Sequence, residues 1–205
     1  ESFLPTLDSA LEEAGVTLKE IDAIGVAAGP GLVGSLTVGI CAAKALASAL
    51  GKPLYGVNHI IGHLAVDKLA DGPLPQRFVG LVVSGGHSNI LLVEDIATDV
   101  KELGGTLDDA AGEAFDKVGR LLELPYPGGP HVDRLSQLGN ADAIRFPRGL
   151  ASGKDKERHK YDFSFSGLKT AVARYIEGAQ ARGEEFSPED VCAGFSEAVN
   201  DSLTS

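Results

Sequence analysis

Two histidines four residues apart, His59 and His63, are the side chains of this chain best suited to holding a cation. Residues at that spacing share one face of a helix, so two imidazoles can grip one metal ion while water or other groups complete its shell. A zinc-protease helix needs a glutamate directly after the first histidine to activate water. Ile60 stands there, and a hydrocarbon cannot do that work. About twenty residues further on, Ser84-Gly85-Gly86-His87 forms a glycine bend between two apolar runs. Adjacent glycines at a strand end let backbone amides converge on a phosphate; the same residues also make a bare hairpin turn. His87 can be a third metal ligand, a phosphate contact or a polar turn residue. Ser84 is not a nucleophile elbow, because Val82 replaces the first glycine of that motif and a second strand, not a helix, follows. The imidazole pair and the glycine bend are expected to serve one site.

Four carboxylates, Asp108, Asp109, Glu113 and Asp116, load one predicted helix, and the last three share a face by their four-and-three spacing. They form either a solvated acidic face favoured by the helix dipole or an acceptor for a ribose diol. Gly128-Gly129 can let a base or sugar lie against the backbone. Gly29-Pro30-Gly31-Leu32-Val33-Gly34-Ser35 joins a predicted strand to a predicted helix. It ends in no Gly-Lys-Ser/Thr, so it is not a P-loop, and it lacks the acidic partner of a dinucleotide fingerprint. An anion site or a tight packing turn both fit it.

The elements that must hold these residues read as α/β. Apolar residues at 3, 4, 7, 10, 11 and 14 predict a helix over 3–14. A buried strand follows over 21–28, then a helix over 35–50 that is apolar nearly all round and expected to lie between layers. A strand over 53–57 leads into the His59 helix. The runs 78–83 and 89–93 predict a hairpin, extended to a meander by 100–103. Helices follow over 108–124, 131–138 and 168–181, and a last one runs toward Leu203. Two lobes are expected, 1–76 and 77–205, with a boundary near the proline-rich stretch 71–76. Across 145–174 lie eight Lys or Arg against three acids.

The chain has 205 residues, 43% hydrophobic and 23% charged, which suits a globular protein with a real core. A net charge of -11 argues against a general nucleic-acid binder but permits a local basic patch. Cys41 and Cys192 lie far apart in apolar surroundings, as buried free thiols in a reducing compartment would. No run of 18 apolar residues and no signal peptide is read, so a cytoplasmic protein without a membrane is expected. There is no methionine, and the chain opens and closes inside predicted helices; a piece of a longer protein is expected.

In order, Gly-Pro-Gly-Leu-Val-Gly-Ser-Leu, Asn-His-Ile-Ile-Gly-His, Val-Ser-Gly-Gly-His, Asp-Asp-Ala-Ala-Gly-Glu-Ala-Phe-Asp-Lys, Pro-Tyr-Pro-Gly-Gly-Pro and Phe-Ser-Phe-Ser-Gly-Leu-Lys-Thr closely resemble the TsaD family. These are tRNA threonylcarbamoyladenosine transferases, earlier known as Gcp. The resemblance implies the two-lobed fold of actin, hexokinase and Hsp70-type ATPases (ASKHA), here truncated at both ends. It implies transfer of a threonylcarbamoyl group from threonylcarbamoyl-AMP to N6 of adenosine 37, in tRNAs reading codons that begin with A. His59 and His63 match the family's metal ligands, for a divalent ion that is usually iron and otherwise zinc. Val82, Val83, Ser84, Gly85 and Gly86 match the loop that binds the adenylate, and Asp116, Gly129 and Asp133 match further contacts to it. The family's first strands and its C-terminal section, with an asparagine for the adenylate and an aspartate for the metal, have no counterpart here. The 205-residue chain alone is therefore expected to be inactive. The implied partners are tRNA and, in a bacterium, TsaB-like and TsaE-like proteins. Two alternatives stand beside this reading. A non-catalytic ASKHA subunit comparable to TsaB need not keep the histidine pair, and an ASKHA small-molecule kinase would consume ATP.

Overall fold

The computed structural model describes residues 3–70, 72–150 and 157–204. The expected α/β class is what the chain adopts, and it divides into two compact units, Glu1–Leu74 and Pro75–Ser205.

The first unit runs α1 (Phe3–Ala14), β1 (Ile24–Gly29), α2 (Val33–Leu50), β2 (Leu54–Asn58), α3 (His59–Ala65) and the short α4 (Asp67–Ala70). β1 and β2 pair in parallel, from Ile24 opposite Leu54 to Gly29 opposite Asn58. Parallel neighbours need a long crossover, and α2 supplies it. Gly51 ends α2 in the left-handed region (φ 62°) and returns its amide to the Ala47 carbonyl, a role that glycine fills without strain. The expected burial of this helix between layers is not what the structure shows. Only Ala43 and Ala47 of α2 are buried, while Val33 and Val38 are 79% and 64% exposed, and Cys41, expected to be buried, is exposed as well. Two strands cover one stripe of a helix, and an all-round apolar composition does not say how many layers surround it. The apolar stripe of α1 is likewise not buried among the described residues. By length and composition alone α2 is apolar enough to cross a bilayer; its place as the β1–β2 crossover accounts for that composition equally well.

The second unit opens with the antiparallel meander β3 (Phe78–Val83), β4 (Ser88–Asp95) and β5 (Asp99–Gly105). Side chains alternate across β3: Gly80 and Val82 are buried, Val79, Leu81 and Val83 exposed. Then come α5 (Ala111–Leu121), α6 (Gly129–Ser136), α7 (Ser166–Arg182) and α8 (Pro188–Thr204). Their facing sides bury Val118, Val132, Val172, Val191, Phe195 and Val199 almost completely, together with Phe165 just before α7, and Phe115 meets Phe195 edge to face at 4.9 Å between centroids. Each such side chain contributes about 1.5–3 kcal/mol by leaving water. The phenyl contact adds about 0.5–1.5 kcal/mol.

The acidic helix is shorter than its sequence suggests. It begins at Ala111, so Asp108 and Asp109 precede it. A nonlocal contact competes with the helix there: Leu107 donates its amide to the Phe163 carbonyl, Phe163 donates its own to Gly105, and Thr106 and Phe163 form a one-residue parallel bridge. Of the basic section 145–174, Lys154 and Lys156 lie outside the described residues.

Candidate functional site

In the first unit Asn58 ends β2 and caps α3. Its side-chain oxygen accepts the amides of Ile60 (2.9 Å) and Ile61 (3.2 Å). That cap sets the first turn of the helix, so His59 and His63 stand one above the other with their Nε2 atoms 3.2 Å apart. Two nitrogens bound to one metal at about 2.0–2.1 Å and a near-tetrahedral angle lie about 3.3 Å apart, so the pair fits two positions of one coordination shell. Among the described residues no third His, Cys, Asp or Glu joins them. Both rings line an open depression of about 560 Å³ floored by Gly25, Val26 and Ala27 along β1 and by Val57 near the carboxyl end of β2.

In the second unit the bend Ser84–His87 closes the β3–β4 hairpin, with the Ser84 amide donating to the His87 carbonyl at 2.8 Å. The amides of Gly86 (3.4 Å) and His87 (3.1 Å) converge on one oxygen, Ser84 Oγ. Neither Gly85 nor Gly86 has a positive φ, and a Cβ added to either would meet nothing within 4 Å. Packing and backbone geometry do not call for glycine at these two positions. Open amide-bearing backbone of this kind suits close approach by a ligand. Gly129 is similar: an added Cβ would make only an ordinary contact, 3.9 Å from Phe115.

Helix α5 brings the remaining expected residues of this unit together. The Gly112 amide donates to the Ser84 carbonyl at 3.1 Å, which fixes the bend on the first turn of α5. One turn on, Asp116 Oδ1 accepts the amides of Gly128 (2.7 Å) and Gly129 (3.3 Å). Asp133 lies one turn after Gly129 on α6, exposed, with Gln137 Nε2 3.4 Å from its Oδ2. Val82 is buried beneath the bend and Val83 exposed beside it. Thus Ser84–Gly86, Asp116, Gly129 and Asp133 are linked through α5 and the start of α6. The metal-ligand candidates belong to the first unit.

The acidic residues divide by role. Asp109 and Glu113 both hold Lys117, at 2.6 and 3.0 Å, and these bonds, that to Asp109 foremost, raise the lysine above its ordinary range. Asp108, though exposed, is engaged by the head of α7. Its carboxylate takes the hydroxyls of Ser164 (2.6 Å) and Ser166 (2.7 Å) and the amides of Phe165 (2.8 Å) and Ser166 (3.1 Å) at the head of α7. Partial burial pushes this carboxyl up, but the four hydrogen bonds outweigh it and hold the group below the usual carboxylate range. The paired serines of Phe-Ser-Phe-Ser-Gly are the one sequence feature that announces such an anchor.

The family model described as tRNA N6-adenosine threonylcarbamoyltransferase (TsaD) matches residues 1–205. A protein of that name from Bifidobacterium adolescentis is 57% identical over 199 residues, covering 97% of this chain and 57% of the relative. Another of the same name, from Corynebacterium diphtheriae, is 56% identical over 206 residues, covering 100% of this chain and 58% of the relative. A solved structure described as an uncharacterized protein with similarity to peptidase YeaZ, from Pseudomonas aeruginosa, aligns with a TM-score of 0.40 at 20% identity, over 92% of this chain and 79% of that one; a likeness at that level carries no argument. The α/β architecture and the family match define the class. The chain belongs to the TsaD family of tRNA N6-adenosine threonylcarbamoyltransferases, and it spans about 57% of the length of the curated relatives it matches.

Proposed function

We propose that the protein carries the donor-binding and metal-holding parts of a transferase that moves a threonylcarbamoyl group from threonylcarbamoyl-AMP to N6 of adenosine 37 in tRNAs reading codons that begin with A. The observation that carries this reading is the trio Gly85, Gly86 and Gly129, which the fold leaves open at Cβ and links through α5. Backbone amides with no side chain in the way suit the phosphate of an adenylate, and Asp116 and Asp133 supply acceptors for the ribose hydroxyls. Ser84 Oγ, on which two amides already converge, marks where a phosphate oxygen would be received.

In the reaction the N6 amine forms a bond to the carbamoyl carbon. The bond from that carbon to the phosphate oxygen breaks, AMP leaves with its electron pair, and the proton lost from N6 passes to solvent water. His59 and His63 would hold a divalent ion, iron or zinc, which would supply Lewis acidity. The backbone amides of the bend stabilise the charge that grows on the leaving phosphate. Because the acceptor amine is a weak nucleophile, holding it and the donor in place contributes much of the rate. The partners of this reading are tRNA and TsaB-like and TsaE-like proteins, in the cytoplasm. The test is mass spectrometry of nucleosides from tRNA incubated with the full-length protein, those partners, threonine, bicarbonate and ATP. Threonylcarbamoyladenosine is the expected product. Its absence, with ADP formed from ATP in the presence of a sugar panel instead, would make the protein a kinase.

A further inference from the structure

We propose that Gly112 and Gly119 are positioning residues that set the two donor-binding loops in register along α5; this rests on the function proposed above. The two glycines are seven apart, so they lie on one face of the helix and about 10 Å apart along its axis, and Asp116 stands between them on the same face. A Cβ on Gly112 would sit 2.8 Å from the Cα and the amide nitrogen of Gly85 and 2.8 Å from the Ser84 carbonyl oxygen. One on Gly119 would sit 2.8 Å from the Cα of Gly128, whose own added Cβ would lie 3.2 Å from the Cα of Gly119. All these neighbours are backbone atoms, so no rotamer relieves the clash and the loop or the helix must move. The loops land on α5 through independent bonds as well: Gly112 to Ser84 at the first landing, Asp116 to Gly128 and Gly129 at the second. The helix face is therefore a template, with the phosphate-facing bend at one mark and the nucleoside-facing turn at the other.

The two marks make a distinguishable pattern. Gly112→Ala displaces the bend, so it should weaken AMP binding on the order of tenfold or more while leaving adenosine binding within about twofold. Gly119→Ala displaces the other loop and should weaken AMP and adenosine alike. Gly178→Ala in α7, where the nearest atom to an added Cβ is the flexible end of Arg182 at 3.2 Å, should leave both ligands unchanged. Calorimetric titration of the full-length protein with AMP and with adenosine reads these ratios, and circular dichroism reports folding. Should Gly112→Ala fail to fold, Ser88→Ala loosens the same joint without adding an atom, because the fully buried Ser88 Oγ accepts the Ala111 amide at 2.9 Å. It too should lower AMP affinity selectively. Folded Gly112→Ala or Ser88→Ala protein with the wild-type AMP-to-adenosine ratio overturns the proposal, as does Gly119→Ala with wild-type affinities. Wild-type protein that binds neither ligand overturns the functional reading itself.

Discussion

The Nε2 atom of His63 lies 3.2 Å from that of His59, the separation that two ligands of one metal would take. Replacing both by alanine in the full-length protein should lower bound metal by at least about 100-fold in affinity, since even indirect disturbance of ligands costs 10- to 100-fold. Metal analysis by mass spectrometry checks this, with tRNA modification as the second readout. Retention of metal by the double variant would remove His59 and His63 from the site.

Asn58 governs that pair from outside it. Asn58→Ala deletes the cap on Ile60 and Ile61, costs about 1 kcal/mol, and should weaken metal binding about fivefold. Asn58→Asp keeps a cap and should restore it.

Asp116 is tied to two loop amides. Asp116→Ala abandons both, and hydrogen bonds to a charged group contribute about 1.5–3 kcal/mol. The KM for the adenylate donor should therefore rise about 10- to 100-fold, and Asp116→Asn, which retains one acceptor, should fall between. Steady-state kinetics decides; an unchanged KM for the alanine variant would show that the turn holds itself.

Asp108 predicts a pH dependence. Its folded carboxyl titrates below the unfolded one, so its stabilisation is fully present above the unfolded value, about 3.9, and is lost as pH falls through the lower folded value. Asp108→Asn should lower stability by about 1 kcal/mol at pH 7, after allowance for solvent screening. That corresponds to a melting temperature about 2–4 °C lower. Thermal scans of both proteins should show the gap closing as the pH falls below the carboxylate range. A gap independent of pH would assign the effect to shape alone.

Cys192 is fully buried in α8, and burial first, then the charge of Glu189, pushes its thiol up to about 11. At neutral pH it is a thiol, not a thiolate, so iodoacetamide should label it only after denaturation. Rapid labelling of the native protein, read by peptide mass mapping, would contradict its place in the core.

What the sequence made legible was local. The four-residue spacing of His59 and His63 and the hairpin around Ser84–His87 each depend on residues within one turn or one hairpin, and pattern alone found them; the Asn58 cap that sets the first turn came only with the structure. Asp108 escaped because its partners lie 56 to 58 positions away, and no periodicity reports that. Gly112 and Gly119 escaped because a glycine inside a helical pattern shows nothing until the backbone it admits is known. The burial expected of α2 failed for a related reason: the composition of one helix does not reveal what surrounds it.

The bridge between Thr106 and Phe163, reinforced by Asp108 at the next turn, has a consequence for how the second unit withstands damage. It ties the chain back to itself, making the intervening stretch a closed bight. A protease cut inside that bight would yield a nicked molecule whose halves stay fastened, so electrophoresis under denaturing conditions would show two bands where gel filtration still shows one species.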